Sequence, residues 1–153
     1  MSNATNTPNA MSNANNNNGG PSMPVNFSDA VQTLKRGHQP HLAIKAGTHT
    51  PADYVGMYVN HHMWTDARPV GVIVGTYGKT GIVVQPVTCT ELDWKPQVHV
   101  GGFSAHVSNN HDQRWSFEID TTRKPIKMRL TRAMAEGGDH VNVRPVNFYD
   151  HNF

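Results

Sequence analysis

VGVIVGTYGKTGIVVQPV, residues Val70 to Val87, sets two apolar runs on either side of a glycine-rich connection. Gly75, Gly78, Lys79 and Thr80 invite comparison with a phosphate-binding loop. That loop needs Gly, four residues, then Gly-Lys-Ser/Thr, with a helix behind it whose N-terminal amides face the phosphates. The position that requires glycine holds Ile73, which is poorly suited to the loop's special dihedrals. Behind Thr80 come Gly81, Ile82, Val83, Val84, Gln85, Pro86 and Val87. β-Branched residues followed by proline make a poor helix and a good strand. The stretch therefore reads as a β-hairpin with a protruding tip at Tyr77 to Lys79, and not as a nucleotide loop.

Working outward, the same period of two recurs. Trp115, Phe117 and Ile119 alternate with Ser116 and Glu118, and Ile126, Met128 and Leu130 alternate with Lys127, Arg129 and Thr131. Glu136-Gly137-Gly138-Asp139 turns the chain into Val141 and Val143, which suggests a second hairpin. Val98 and Val100 flank His99, and Leu42 and Ile44 alternate with His41, Ala43 and Lys45. Thr50-Pro51-Ala52-Asp53 resembles a helix start, yet Tyr54 to Val59 has strand composition, and a strand is expected there. Short strands separated by turns, with 10 prolines and 13 glycines, indicate a mainly β fold: an antiparallel sandwich or barrel.

Residues 1–26 differ in kind. They hold no charged side chain and are dominated by Asn, Ser, Thr, Ala, Gly and Pro, so alone they are expected to be disordered or extended, as an arm. A short N-terminal helix should follow, with Ser28 as N-cap, Asp29 in its first turn, Lys35 and Arg36 in its last and Gly37 as its stop. Phe27, Val31 and Leu34 share one stripe of that helix, facing a core or an adjacent subunit. Residues 27–153 are expected to form a single β-rich domain.

The formal charge of +2 is too mild to diagnose a nucleic-acid or membrane partner. Cys89 is the one cysteine, so no intrachain disulfide forms. No apolar run approaches the ~20 residues of a membrane span. No signal peptide is visible either, and a cytoplasmic or virion location is expected.

Ten histidines are many for 153 residues. A metal needs two or three converging ligands, and His99, His106 and His111 are the set best placed by spacing. No HExxH, no HxH and no paired cysteines accompany them. Glu91 with Asp93, and Glu118 with Asp120, are carboxylates two apart, but exposed strand charge explains both pairs. Arg123, Lys124, Lys127, Arg129 and Arg132 place five of the 13 basic residues within ten positions. With Arg144 on a paired strand, Lys127 and Arg129 would make a stripe able to follow a phosphate backbone, beside Trp115, Phe148 or Tyr149 as stacking surfaces.

The leading expectation is a non-enzymatic assembly protein without cofactor. It would form a homo-oligomer or dock on a larger lattice through its arm and hairpin loops, in the general style of virion coat and decoration proteins. The alternatives are a single-stranded nucleic-acid-binding β-barrel using Lys127, Arg129, Arg132 and Arg144, and a small metalloenzyme using His99, His106 and His111.

Overall fold

In the computed structural model, residues 38–101, 106–132, 134 and 137–152 are described. The arm at 1–26 and the helix expected from Ser28 to Arg36, with Phe27, Val31 and Leu34, lie outside them.

The hairpin read from the sequence is the centre of the fold. Its strands are β2 (Asp66–Tyr77) and β3 (Gly81–Glu91), each running four residues beyond the quoted stretch. Gly78 in the connection adopts φ +58, which a residue without Cβ reaches at little cost. β1 (Tyr58–Met63) pairs antiparallel with β2, and β8 (Asp139–Asn142) pairs with β1. Pro86 closes the β2–β3 register, and past it β3 changes partner. Its first half pairs with β7 (Ile126–Arg129), and Val87 to Glu91 pair with β6 (Trp115–Ile119). Among the described residues the antiparallel sheet thus has six strands in the order β6-β3-β2-β1-β8, with β7 also on β3. β4 (Val98–His99) and β5 (His106–Val107) form a separate two-stranded ribbon.

Three expectations are corrected. β8 pairs with β1 at the far edge of the sheet, so it does not form a hairpin with β7. Its buried Val141 packs in the same core as Val59, and that apolar partner outweighs the proximity of β7 in sequence. Leu42 and Ile44 lie on a helix, α1 (Pro40–Lys45), where Pro40 presets φ for the first turn. Pro51–Tyr54 forms a 3-10 turn, and the strand begins only at Tyr58. There the Asp53 carboxylate accepts from the Thr50 backbone N–H at 2.6 Å and from its hydroxyl at 3.0 Å, so the helix-start signal decides those residues.

The core joins Tyr54, Met57, Val59, Ile73, Ile82, Val84, Leu130 and Val141, with Ile44, Met128 and Val143 packed against it. A bulge between Ile73 and Gly75 decides which side chains join it. Ile73 pairs with Val84 and faces the core, whereas beyond the bulge Gly75 pairs with Val83 and Tyr77 with Gly81, on the opposite face. One extra residue, Val74, thereby turns Tyr77 outward.

Candidate functional site

That outward face carries the first candidate surface. Val83 pairs with Lys127 and Gly81 with Arg129, so Tyr77, Lys127 and Arg129 stand on the same side of the sheet. A Cβ on Gly81 would lie 2.7 Å from Tyr77 Cδ1 and Cε1, so the absent side chain is what lets the ring lie across β3. The Lys127 Nζ sits 5.5 Å from the centroid of that ring, within cation–π range. Lys79 is exposed at the hairpin tip, as are Arg123 and Lys124 in the turn before β7. Gln85 holds this turn by donating its side-chain amide to the carbonyls of Asp120 and, at 2.9 Å, Arg123. The neighbouring Asp120 carboxylate accepts from the Thr122 N–H and hydroxyl, and that hydroxyl bond holds its pKa below the usual carboxylate value.

The basic residues read from the sequence are therefore divided. Lys127 and Arg129 share β7 at one side of the sheet, Arg132 follows it, and Arg144 follows β8 at the opposite edge. Arg144 does not extend the stripe. The expected aromatic partners are engaged elsewhere: Phe148 stacks on His111 with centroids 5.7 Å apart, and Tyr149 meets His151 edge-on at 4.8 Å. Trp115 is half-buried on β6. Tyr77 is the aromatic ring beside Lys127, and sequence spacing missed it because the bulge at Val74 inverts the face.

The second candidate surface is the β1–β2 turn, where Met63 pairs with Asp66 across Trp64 and Thr65. Trp64 adopts φ +58 and is 95% exposed, beside Met63 at 49%. Two-residue hairpin loops with positive φ favour Gly, Asn or Asp, and a tryptophan there is strained.

The histidines pair rather than converge. His99 and His106 face each other across β4 and β5, with stacked rings 5.4 Å apart, while His111 lies on Phe148. Among the described residues no group of three or more His, Cys, Asp or Glu is placed to hold a metal ion. Two further clusters escaped sequence reading. His38 Nε2 is 2.8 Å from the Tyr54 hydroxyl, and its ring is 5.2 Å from that of His49. Burial lowers the His38 pKa and His49 adds to this, while burial pushes Tyr54 up to about 12. On β1 and β8, His61 Nδ1 bonds the Asp139 carboxylate at 2.8 Å, and His62 meets His140 edge-on at 5.0 Å. Burial, then His140 and His61, lower the His62 pKa. Cys89 is exposed on β3 opposite Phe117.

Among the described residues, no helix is long and apolar enough to cross a membrane. Comparison with protein-family models, curated proteins and solved structures finds no match.

Proposed function

We propose that this chain is a non-enzymatic assembly protein that associates with copies of itself, in the manner of a coat or decoration component. The observation that carries this reading is Trp64. A large aromatic in the left-handed region costs about 1–3 kcal/mol over the residues that favour it. Within one protomer the exposed indole recovers none of this. Burying 150–250 Å² of aromatic surface at a contact contributes roughly 4–6 kcal/mol at 25 cal/mol per Å². The second effect exceeds the first, so a partner surface offsets the strain. Indole anchors of this kind commonly dominate protein contacts. Met63 widens the same tip. Exposed Val98 and Val100, at 55% and 93%, mark a further apolar stretch along the β4 ribbon.

The uncharged residues 1–26 complete the proposal as an arm reaching to a neighbouring subunit, with Phe27, Val31 and Leu34 at its base. Asn amides both donate and accept, which suits them to the backbone of another chain.

The test is sedimentation of the full chain against Trp64→Ser. The substitution lies on an exposed tip, so the melting temperature should hold while the assembled fraction falls at least tenfold. A Trp64→Ser protein that sediments like the parent contradicts the proposal.

A further inference from the structure

A separate surface, at the other end of β2 from Trp64, fits a different partner. We propose that the outward face formed by Tyr77, Lys79, Lys127 and Arg129, with the Arg123–Lys124 turn beside it, binds single-stranded nucleic acid, with the phosphates on the cations and a base on the Tyr77 ring.

Charge complementarity carries the choice of partner. These five cations lie along the first half of β3, from the hairpin tip at Lys79 to the turn held by Gln85, and among the described residues none of the five is in a salt bridge with a carboxylate. Asp120, the carboxylate nearest in sequence to the turn, accepts hydrogen bonds from Thr122 and also interacts with Arg123, while among the described residues the other four cations have no such neighbour. Lys127 and Arg129 lie two residues apart on one strand, about 6.8 Å along its axis, and both are exposed. A run of cations without salt bridges, of which only Arg123 feels a neighbouring carboxylate, attracts a polyanion and releases its counterions on binding.

The aromatic and the glycines distinguish nucleic acid from other polyanions. The Tyr77 ring packs over Gly81, where an added Cβ would meet Cδ1 and Cε1, and Lys127 reaches the ring from the neighbouring row of Gly75 and Val83. A base would stack on the ring face turned away from β3, taking the place of the Lys127 ammonium. Aromatic stacking tolerates every base, so recognition on this face is independent of sequence. A folded duplex keeps its bases stacked on one another and offers no free face to Tyr77, which favours the single strand. The Lys127 ammonium over the ring is the group that a phosphate would draw away.

The face is built by features that lie far apart in sequence. The Val74 bulge turns Tyr77 outward, Gln85 fixes the Arg123 turn, and the β3–β7 register brings Lys127 level with Val83.

The test is fluorescence polarisation of labelled oligothymidylate with the full chain over a series of salt concentrations. Double replacement Lys127→Glu with Arg129→Glu should weaken binding at least about tenfold and shallow the logarithmic salt slope by about 1.4, since each single-strand phosphate left without its cation removes about 0.7. Tyr77→Ala should weaken binding about tenfold and leave the slope nearly unchanged, because stacking releases no counterions. Arg114→Glu, an exposed charge outside the face, should leave binding as in the parent. Binding of heparin equal to that of oligothymidylate, with no effect of Tyr77→Ala on either, would make the face a general polyanion surface and overturn the proposal. So would a parent that does not bind oligothymidylate at low salt. Circular dichroism of each variant separates a weakened binding face from an unfolded chain.

Discussion

Asn60 and Val146 lie 86 residues apart, and the Val146 N–H donates to the Asn60 side-chain oxygen at 2.8 Å. The Asn60 side-chain NH2 in turn donates to the Arg144 carbonyl at 3.0 Å, and Asn60 has no exposed surface. One buried residue of β1 therefore fixes the segment that follows β8. Asn60→Ala removes both bonds and leaves a backbone donor and acceptor without their partner. The expected destabilisation is about 1–3 kcal/mol, measured as a lower urea midpoint with an unchanged slope. A midpoint equal to the parent's would mean that the C-terminal segment is held by other contacts.

Gly71 and Gly75 stand four positions apart on β2, and alanine should act oppositely at the two. A Cβ at Gly71 would run into the backbone carbonyl of Gln85, which cannot move without parting β2 from β3. Gly71→Ala should cost about 1–3 kcal/mol. At Gly75 the nearest atom would be Val83 Cβ at 3.9 Å, an ordinary contact, and the backbone has no positive φ there. Gly75→Ala should be neutral or stabilise by up to about 1 kcal/mol, by restricting the unfolded chain. Paired thermal melts decide this, and equal destabilisation at both sites would contradict the β2–β3 register.

The two lowered imidazoles set a direction for pH dependence. His38 and His62 both fall below the ordinary 6.5, so the unfolded chain takes up their protons first. Their contribution is present in full above 6.5 and is lost as the pH falls from there through the lowered folded values. Solvent screens the exposed His62–His140 pair, so His38, half-buried against Tyr54 and His49, should carry the larger share. Asp120 acts in a lower window, since its lowered pKa gives stability that is lost only as the pH falls below 3.8. Urea midpoints should therefore decline between about pH 7 and pH 5, and His38→Gln should flatten that decline. A midpoint that rises on acidification would reverse the sign.

The hairpin from Val70 to Val87 was legible because β-branched runs around a glycine connection have few other solutions. The strands at Trp115 and Ile126 were legible for the same reason, since alternation fixes their type. Partner choice was not: β8 prefers the edge of β1, and β3 divides its length between β7 and β6 across Pro86. Six residues around Leu42 were too few for period to separate strand from helix, and Pro40 was the better signal. The tip at Met63-Trp64-Thr65-Asp66 carries no glycine or asparagine, so turn chemistry did not announce it. The pairs His38–His49 and His62–His140 form only once α1, the following turn and β8 are in place.

The central claim is that the Trp64 tip exists to be covered by another copy of the chain. Native mass of the unsubstituted full chain tests it most directly, at concentrations up to about 100 μM, where even a contact of modest affinity is populated. The account predicts a discrete species at a whole multiple of 16.9 kDa that grows with concentration. A single 16.9 kDa species across the whole range would contradict it.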